Sequence, residues 1–383
     1  MRLINVREAT PGLITGRELV DEKGQILLNR NVPLTQSYIK ALIEKGFKRI
    51  WVKDPEEGPD VDMEEDVPPE VRARAHVALR EAFDTIEQEV GKLQGQNMKS
   101  IIQCFDSDSV RALIGKGGVL GPVVEVAKSI MRSVLSRTTL AGLTSIKSES
   151  TFLYDHSVDV CAVALMIGRV AGLSTDRLRQ LAAGCLLHDV GKVFLDPSVS
   201  GDKEVAQHTR LGYELLRVSE DKDILTPHVA FEHHERPDSQ GLPRRLRAGN
   251  FIMRDRTQPP PIPTVLGEIA AVANAYDHLL SDQPGKPALR PDEALRHIRS
   301  GAGTQFNKEV VQGFLRTVPV YPLGTEAIVK SEKYRNFLAV VTRVNQARLD
   351  RPVLTLVRDA HGYKIEPIEI DMAADLDCHI RSK

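Results

Sequence analysis

The chain has no uninterrupted apolar stretch near the roughly 18 residues that a membrane-spanning helix needs, and its amino terminus is charged instead of signal-like. A cytoplasmic location is therefore expected. Net charge is also missing: 51 basic residues balance 52 acidic ones. Without a basic excess there is no electrostatic case for nucleic acid or for an anionic membrane surface. Cysteine is scarce. Cys104, Cys161, Cys185 and Cys378 stand far apart, three of them in apolar helical contexts, so buried reduced thiols are expected instead of a disulfide framework. Nor is there a P-loop. Gly115-Lys116-Gly117-Gly118 lacks its spacing and the following Lys-Ser/Thr, and reads as a helix-breaking turn.

What is present is length: 383 residues can bury a large core and divide into two or three domains. Residues 1–53 read as a compact α/β unit, with short strands around Ile14 and Ile26, a helix capped by Thr35 that stops at Gly46, and a last strand at Arg49–Val52. The unit shows no titratable cluster, so it is expected to bind a protein partner or act as a scaffold, without chemistry of its own. Residues 54–69, rich in Asp, Glu and Pro, read as a solvated linker. Over 70–144 the pattern is that of a helical connector, with Leu79, Phe83, Ile86 and Val90 on one face and a second such face over 123–135. Residues 145–320 hold further helices; in the one over 154–170 the buried face is expected at Val160, Ala164, Ile167 and Ala171. Thr175 or Asp176 is expected to cap the next. Residues 321–383 turn to short β-rich runs, which predict a small antiparallel unit. The expected class is mainly α, a helical bundle with a small N-terminal α/β unit and a small C-terminal β unit.

The bundle is organised around Leu186-Leu187-His188-Asp189-Val190-Gly191-Lys192, where an apolar run ends in a histidine and an aspartate side by side. Adjacent helical residues point about 100° apart, so one ion can take both only near a helix end, where the backbone adapts. A His-Asp pair alone means little. His156, His208, His233 and His234 lie in neighbouring amphipathic segments, however, and imidazole is the commonest ligand of first-row metals. Bundles build metal sites in this way, from side chains on facing helices. Mixed N and O ligation suits Fe, Mn, Zn or Ni, and the two oxygens of Asp189 allow it to bridge two ions. Two ions about 3.5–4 Å apart stabilise the attacking and leaving oxygens of a phosphoester displacement and generate hydroxide near neutral pH. Lys192, one turn after Asp189, is placed to bond a phosphate oxygen or to protonate a leaving group. Asn274 and Asp277, three apart, share one face of a later helix that follows a proline-rich break at 258–261.

The order His156, His188-Asp189-Val190-Gly191-Lys192, His208-x-x-x-Gly212, His233-His234-Glu235-Arg236 and Val272-Ala273-Asn274-Ala275-Tyr276-Asp277 resembles the HD-GYP family. That family belongs to the HD-domain metallophosphohydrolases and comprises bacterial phosphodiesterases for cyclic di-GMP. The resemblance covers residues 145–320 and implies an HD-type bundle, a cyclic dinucleotide as ligand, and two divalent transition-metal ions, Fe or Mn ahead of Zn or Ni. It implies His156, His188 and Asp189 as metal ligands, with His208, His233 and His234 completing a second site. It also implies Lys192 at the scissile phosphate and Lys286 at the nucleotide. A homodimer is compatible with it.

The departures from the family pattern are specific. Asn274 stands where the family has an aspartate ligand, and Gln283 where it has an arginine that holds substrate phosphate. Gly241-Leu242-Pro243 replaces Gly-Tyr-Pro, and Phe152 replaces the glutamate with which some members bind a third metal. The expected protein is a metal-dependent phosphodiesterase with at most two ions and weak activity on cyclic di-GMP. The alternative is a catalytically degenerate relative that keeps metal or nucleotide for signalling or scaffolding.

Overall fold

The computed structural model describes residues 1–21, 25–53, 65–90, 97–115, 117–141, 147–148, 150–219, 225–252, 262–283 and 286–383. Most of the expected linker at 54–69 lies outside these residues, as do Lys116 of the glycine-rich turn and all of the proline-rich break at 258–261.

The N-terminal unit consists of β1 (Arg2–Asn5), β2 (Ile14–Thr15), β3 (Leu19–Val20), β4 (Ile26–Leu28), α1 (Gln36–Glu44) and β5 (Arg49–Lys53). β5 is the middle strand of an antiparallel sheet ordered β1-β5-β2. Thr35 caps α1 by accepting a hydrogen bond from the Tyr38 amide at 3.2 Å, which satisfies one of the orphan donors of the first turn. Leu34, Ile39, Leu42, Ile50 and Val52 form the unit's own small core.

Next come α2 (Pro69–Val90), α3 (Met98–Phe105), α4 (Asp108–Ile114), α5 (Gly121–Leu135), α6 (Phe152–Val170), α7 (Thr175–Leu187), α8 (Gly201–Leu216), α9 (Leu225–Glu232), α10 (Val265–Leu280), α11 (Pro291–Ser300) and α12 (Lys308–Leu315). One continuous core running from Val67 to Val318 joins them, so the helices over 70–144 pack into the same body as those over 145–320. α6 is the central element. Every residue from Asp155 to Gly168 is buried, where the sequence predicts a single buried face, and Ala171 lies only partly buried at its end. α5, α7, α10 and α12 surround it, and its polar residues survive burial because each faces a partner of opposite charge or a hydrogen bond. The cap of α7 also differs from expectation. Ser174, one residue earlier than Thr175, has the extended backbone of a cap and accepts from the Arg177 amide at 3.4 Å.

The C-terminal unit is an antiparallel sheet ordered β10-β6-β7-β8-β9, with β6 (Glu326–Val329), β7 (Leu338–Arg343), β8 (Val353–Arg358), β9 (Lys364–Asp371) and β10 (Ile380–Ser382). The N-terminal unit bridges to it: Met1 and Trp51 pack with Leu323 and Val340. The Ser382 hydroxyl donates to Asp292 on α11, which ties the last strand back to the helical body. The molecule is mainly α with two small β-containing units, as the sequence predicts. Among the described residues no helix is long and apolar enough to cross a membrane.

Tyr276 sits fully buried on α10 with its ring 4.9 Å from that of Phe314, and its hydroxyl has no hydrogen-bond partner among the described residues. An unpaired buried polar group costs about 1–3 kcal/mol. Tyr276→Phe should therefore leave the melting temperature unchanged or raise it in calorimetry. A drop of several degrees would mean that the hydroxyl is bonded in solution.

Candidate metal centre

The run Leu181–Leu187 is buried throughout and carries α7 into the middle of the body. The helix stops there. His188 is its terminal cap and Asp189, at φ −100° and ψ 7°, turns the chain into a short 3-10 segment, Val190–Phe194. This break relieves the divergence of adjacent helical side chains and lets both residues face one centre. Gly191 allows the segment to lie against α8, since an added Cβ would meet the His208 carbonyl oxygen at 2.0 Å.

Two trios of donors result. The ligand atoms of His156, His188 and Asp189 lie within 4.8 Å of one another, and so do those of His208, His233 and His234. Asp189 faces both trios. Its Oδ2 is 3.5 Å from His188 Nε2 and 3.9 Å from His156 Nε2, while Oδ1 is 3.4 Å from His208 Nε2 and 3.8 Å from His233 Nε2.

The rings are oriented by hydrogen bonds on their other nitrogen. His188 Nδ1 donates to the Cys185 carbonyl at 2.7 Å, His208 Nδ1 to Glu204 at 2.9 Å, and His233 Nδ1 to Ala230 at 3.0 Å. His156 Nδ1 donates to Asp277 Oδ2 at 2.6 Å. With Nδ1 carrying the proton, a neutral imidazole presents Nε2 as a bare lone pair. The Nε2 atoms of His156 and His188 are 3.2 Å apart, and those of His208 and His233 are 3.3 Å apart. Lone pairs this close repel, and a cation between them removes the repulsion. Burial, the largest cause in each case, pulls His208 down to about 4 and holds His156, His233 and His234 well below the usual imidazole value. Burial alone would push Asp189 up, but Lys192 and the surrounding imidazoles outweigh it and keep the carboxylate ionised. Four neutral nitrogen donors around a buried carboxylate fit first-row transition ions.

Lys192 Nζ donates to Asp189 Oδ2 at 2.7 Å, and that pairing raises its pKa against the pull of burial. Asn274 is buried one turn before Asp277 on α10, and its Oδ1 has no hydrogen-bond partner among the described residues. An unpaired buried carbonyl oxygen of this kind fits a ligand atom, because buried acceptors are otherwise satisfied. Phe152 stacks nearly parallel on His156, with ring centroids 5.6 Å apart. Gln283 lines the same cavity as the histidines, but its amide nitrogen is turned onto His278 Nδ1 at 2.6 Å. Lys286 pairs with Gln283 only through the backbone, and its side chain is exposed and apart from the cavity lining.

Three residues at the centre were not singled out as site residues from the sequence. Asp277, noted only for sharing a helix face with Asn274, accepts from His156 and from Lys147. Burial lifts its pKa to about 6 even against the pull of Lys147. Lys147 also pairs with Asp159 at 3.2 Å, and Asp159 accepts from Arg72 of α2 at 2.8 Å. His278, four residues after Asn274 and so on the same face, lies with its ring 4.4 Å from that of His156. Helical spacing could have flagged His278; nothing local marks Lys147. The cavity, of about 580 Å³, is lined by Lys192, His208 and His234 together with Phe152, His278 and Gln283. Leu3, Lys48 and Arg49 of the N-terminal unit line it as well.

Residues 153–279 match the model of the HD domain family. The chain is 26% identical over 319 residues to a cyclic di-GMP phosphodiesterase of Pseudomonas aeruginosa, covering 79% of this chain and 72% of that protein. It is 32% identical over 167 residues to a cyclic di-GMP phosphodiesterase of Thermotoga maritima, which covers 40% of this chain and 42% of that one. A cyclic di-GMP phosphodiesterase response regulator of Xanthomonas campestris is 31% identical over 230 residues, 57% of this chain and 56% of its own. For the latter two, the chain therefore spans about half the length of its relative.

The Asp277 carboxylate fixes His156 from behind, and loss of such support typically weakens metal binding by roughly 10–100-fold. Asp277→Asn should show that loss in a chelator titration followed by elemental analysis, and Asp189→Ala should remove most of the metal. Unchanged affinity in Asp277→Asn would exclude His156 as a ligand.

Proposed function

We propose that this chain, an HD-domain protein similar to the HD-GYP phosphodiesterases, slowly hydrolyses a phosphodiester bond of cyclic di-GMP with two divalent transition-metal ions. The observation that carries the reading is Asp189, which turns one oxygen toward His156 and His188 and the other toward His208 and His233. In this reading His156, His188 and Asp189 hold one ion, His208, His233 and His234 hold the other with Asp189 shared, and Asn274 adds a neutral oxygen. Fe or Mn suits the mixed set ahead of Zn or Ni. Bound there, the ions would supply Lewis acidity toward a phosphoryl oxygen and activate water near neutral pH.

The chain's own residues do the rest. Lys192 is held cationic by Asp189, so its part is to steady negative charge on the phosphoryl oxygens; an ammonium with a raised pKa is a poor proton donor to a leaving group. Asp277 fixes the ring of His156, and Lys147 keeps Asp277 ionised. Phe152 and His278, packed with His156, give the cavity beside the centre an aromatic wall against which a purine could rest. Gln283 and Asn274 account for low activity. A neutral amide cannot make the bidentate, charge-assisted contact of a guanidinium with phosphate, and it is a weaker metal ligand than a carboxylate. The proposal includes a cytoplasmic location and a protein partner for the N-terminal unit.

Each lost charge-assisted contact is worth on the order of 1.5–3 kcal/mol, about ten- to a hundredfold in binding. Gln283→Arg should therefore speed turnover of cyclic di-GMP by the metal-loaded protein, and the double variant with Asn274→Asp should speed it further. A wild type already turning over at about 10 per second, the typical enzyme rate, would contradict the assigned cost of these two residues. Metal-loaded protein that neither turns over nor binds the nucleotide, in wild-type or double-variant form, would overturn the enzyme reading in favour of a metal-containing scaffold.

A further inference from the structure

We propose that the N-terminal unit completes the substrate pocket, with Lys48 binding the phosphodiester of a cyclic dinucleotide that is not being cleaved and Arg49 holding it in place at Asp282. The identity of the ligand rests on the proposed function; the placement of the two cations does not.

A cyclic dinucleotide carries two anionic phosphates, and a buried or half-buried anion needs a paired cation or hydrogen bonds. The helical body has little left to offer the second one. Lys192 is bonded to Asp189, and Lys147 is committed to Asp277 and Asp159. Gln283 is neutral, and Lys286 lies outside the cavity lining. Lys48 and Arg49 line that same cavity from the other unit. Arg49 Nε pairs with Asp282 Oδ2 at 3.0 Å and so reaches the residue directly before Gln283. The unit thus brings an ammonium to the segment that carries the neutral Gln283. Among the described residues Lys48 Nζ donates only to the Asp282 backbone carbonyl, at 3.4 Å. Among the described residues no carboxylate lies within ion-pair distance of it, so its charge is available to an incoming anion.

The placement is fixed by the fold. β5 is the middle strand of its sheet, and the Val6 amide donates to the Lys48 carbonyl at 3.0 Å. Phe47 bridges Ser148, next to Lys147 in the loop that enters α6. Two anchors, at Ser148 and at Asp282, therefore hold the Lys48–Arg49 backbone over the cavity while the Lys48 side chain stays exposed and able to move.

The test uses the full-length, metal-loaded protein, with Lys48→Glu, Lys48→Arg and Arg49→Gln. Binding of cyclic di-GMP is measured by calorimetry, and KM and kcat by turnover. Lys48→Glu should weaken binding and raise KM by roughly ten- to a hundredfold, with a smaller change in kcat and the same metal content, while Lys48→Arg stays near wild type. Lys48 is exposed, so its substitution leaves folding intact even if Arg49→Gln loosens the contact with Asp282. Wild-type binding by Lys48→Glu overturns the inference and leaves the hydrolytic reading standing. Binding that depends on Lys48 without any turnover supports the inference and overturns the hydrolytic reading. Neither binding nor turnover in the wild type overturns both.

Discussion

The arrangement depends on one buried carboxylate. Asp189 is ionised in the centre of a helical body, within 4 Å of four imidazole nitrogens drawn from α6, the end of α7, α8 and the turn after α9. An isolated carboxylate there would cost several kcal/mol or take up a proton. Lys192 and the surrounding imidazoles keep Asp189 ionised against burial, and the rings are held with Nε2 lone pairs inward by hydrogen bonds at Nδ1. Further positive charge is what the geometry lacks and what divalent ions would supply. The break in α7 at His188 and the absence of a side chain at Gly191 are the local conditions that make this convergence possible.

Around that centre, buried charge is compensated outward in steps. Asp277 takes the proton side of His156 and is matched by Lys147; Asp159 is matched by Lys147 and Arg72; Asp155 is matched by Arg72 and His76. The chain of pairs runs from the donors of α6 and α10 to α2, so helices that sequence separates from the centre take part in orienting it. Removing one member of such a set leaves a buried charge without its partner, which costs more than the net worth of the pair. The N-terminal unit joins the same scheme from outside through Arg49 and Asp282.

Legibility in the sequence followed the range of the interaction. The cap at Thr35 and the buried face of α2 at Leu79, Phe83 and Ile86 follow from local spacing and side-chain chemistry. The ordered histidines were also visible, because each sits in a short apolar segment with its neighbour named by the motif. β1, β3 and β10, of two to four residues, have too few positions to show alternation, whereas the equally short β2 and β4 are marked by the glycines beside them in the sequence. α6 was misjudged as one-sided because its polar residues signal solvent in sequence and partners in space. Lys147 and Lys48 acquire meaning only from residues brought to them by the fold, and no window along the chain contains either with its partners.

The central claim is that two ions share Asp189. Anomalous X-ray scattering from crystals of protein purified without chelator, recorded on either side of the iron and manganese edges, tests it directly. The account predicts two peaks about 3.5–4 Å apart, one among His156, His188 and Asp189 and the other among His208, His233 and His234, with the Asp189 carboxylate between them. Crystals of such protein with no anomalous peak at these histidines would contradict it.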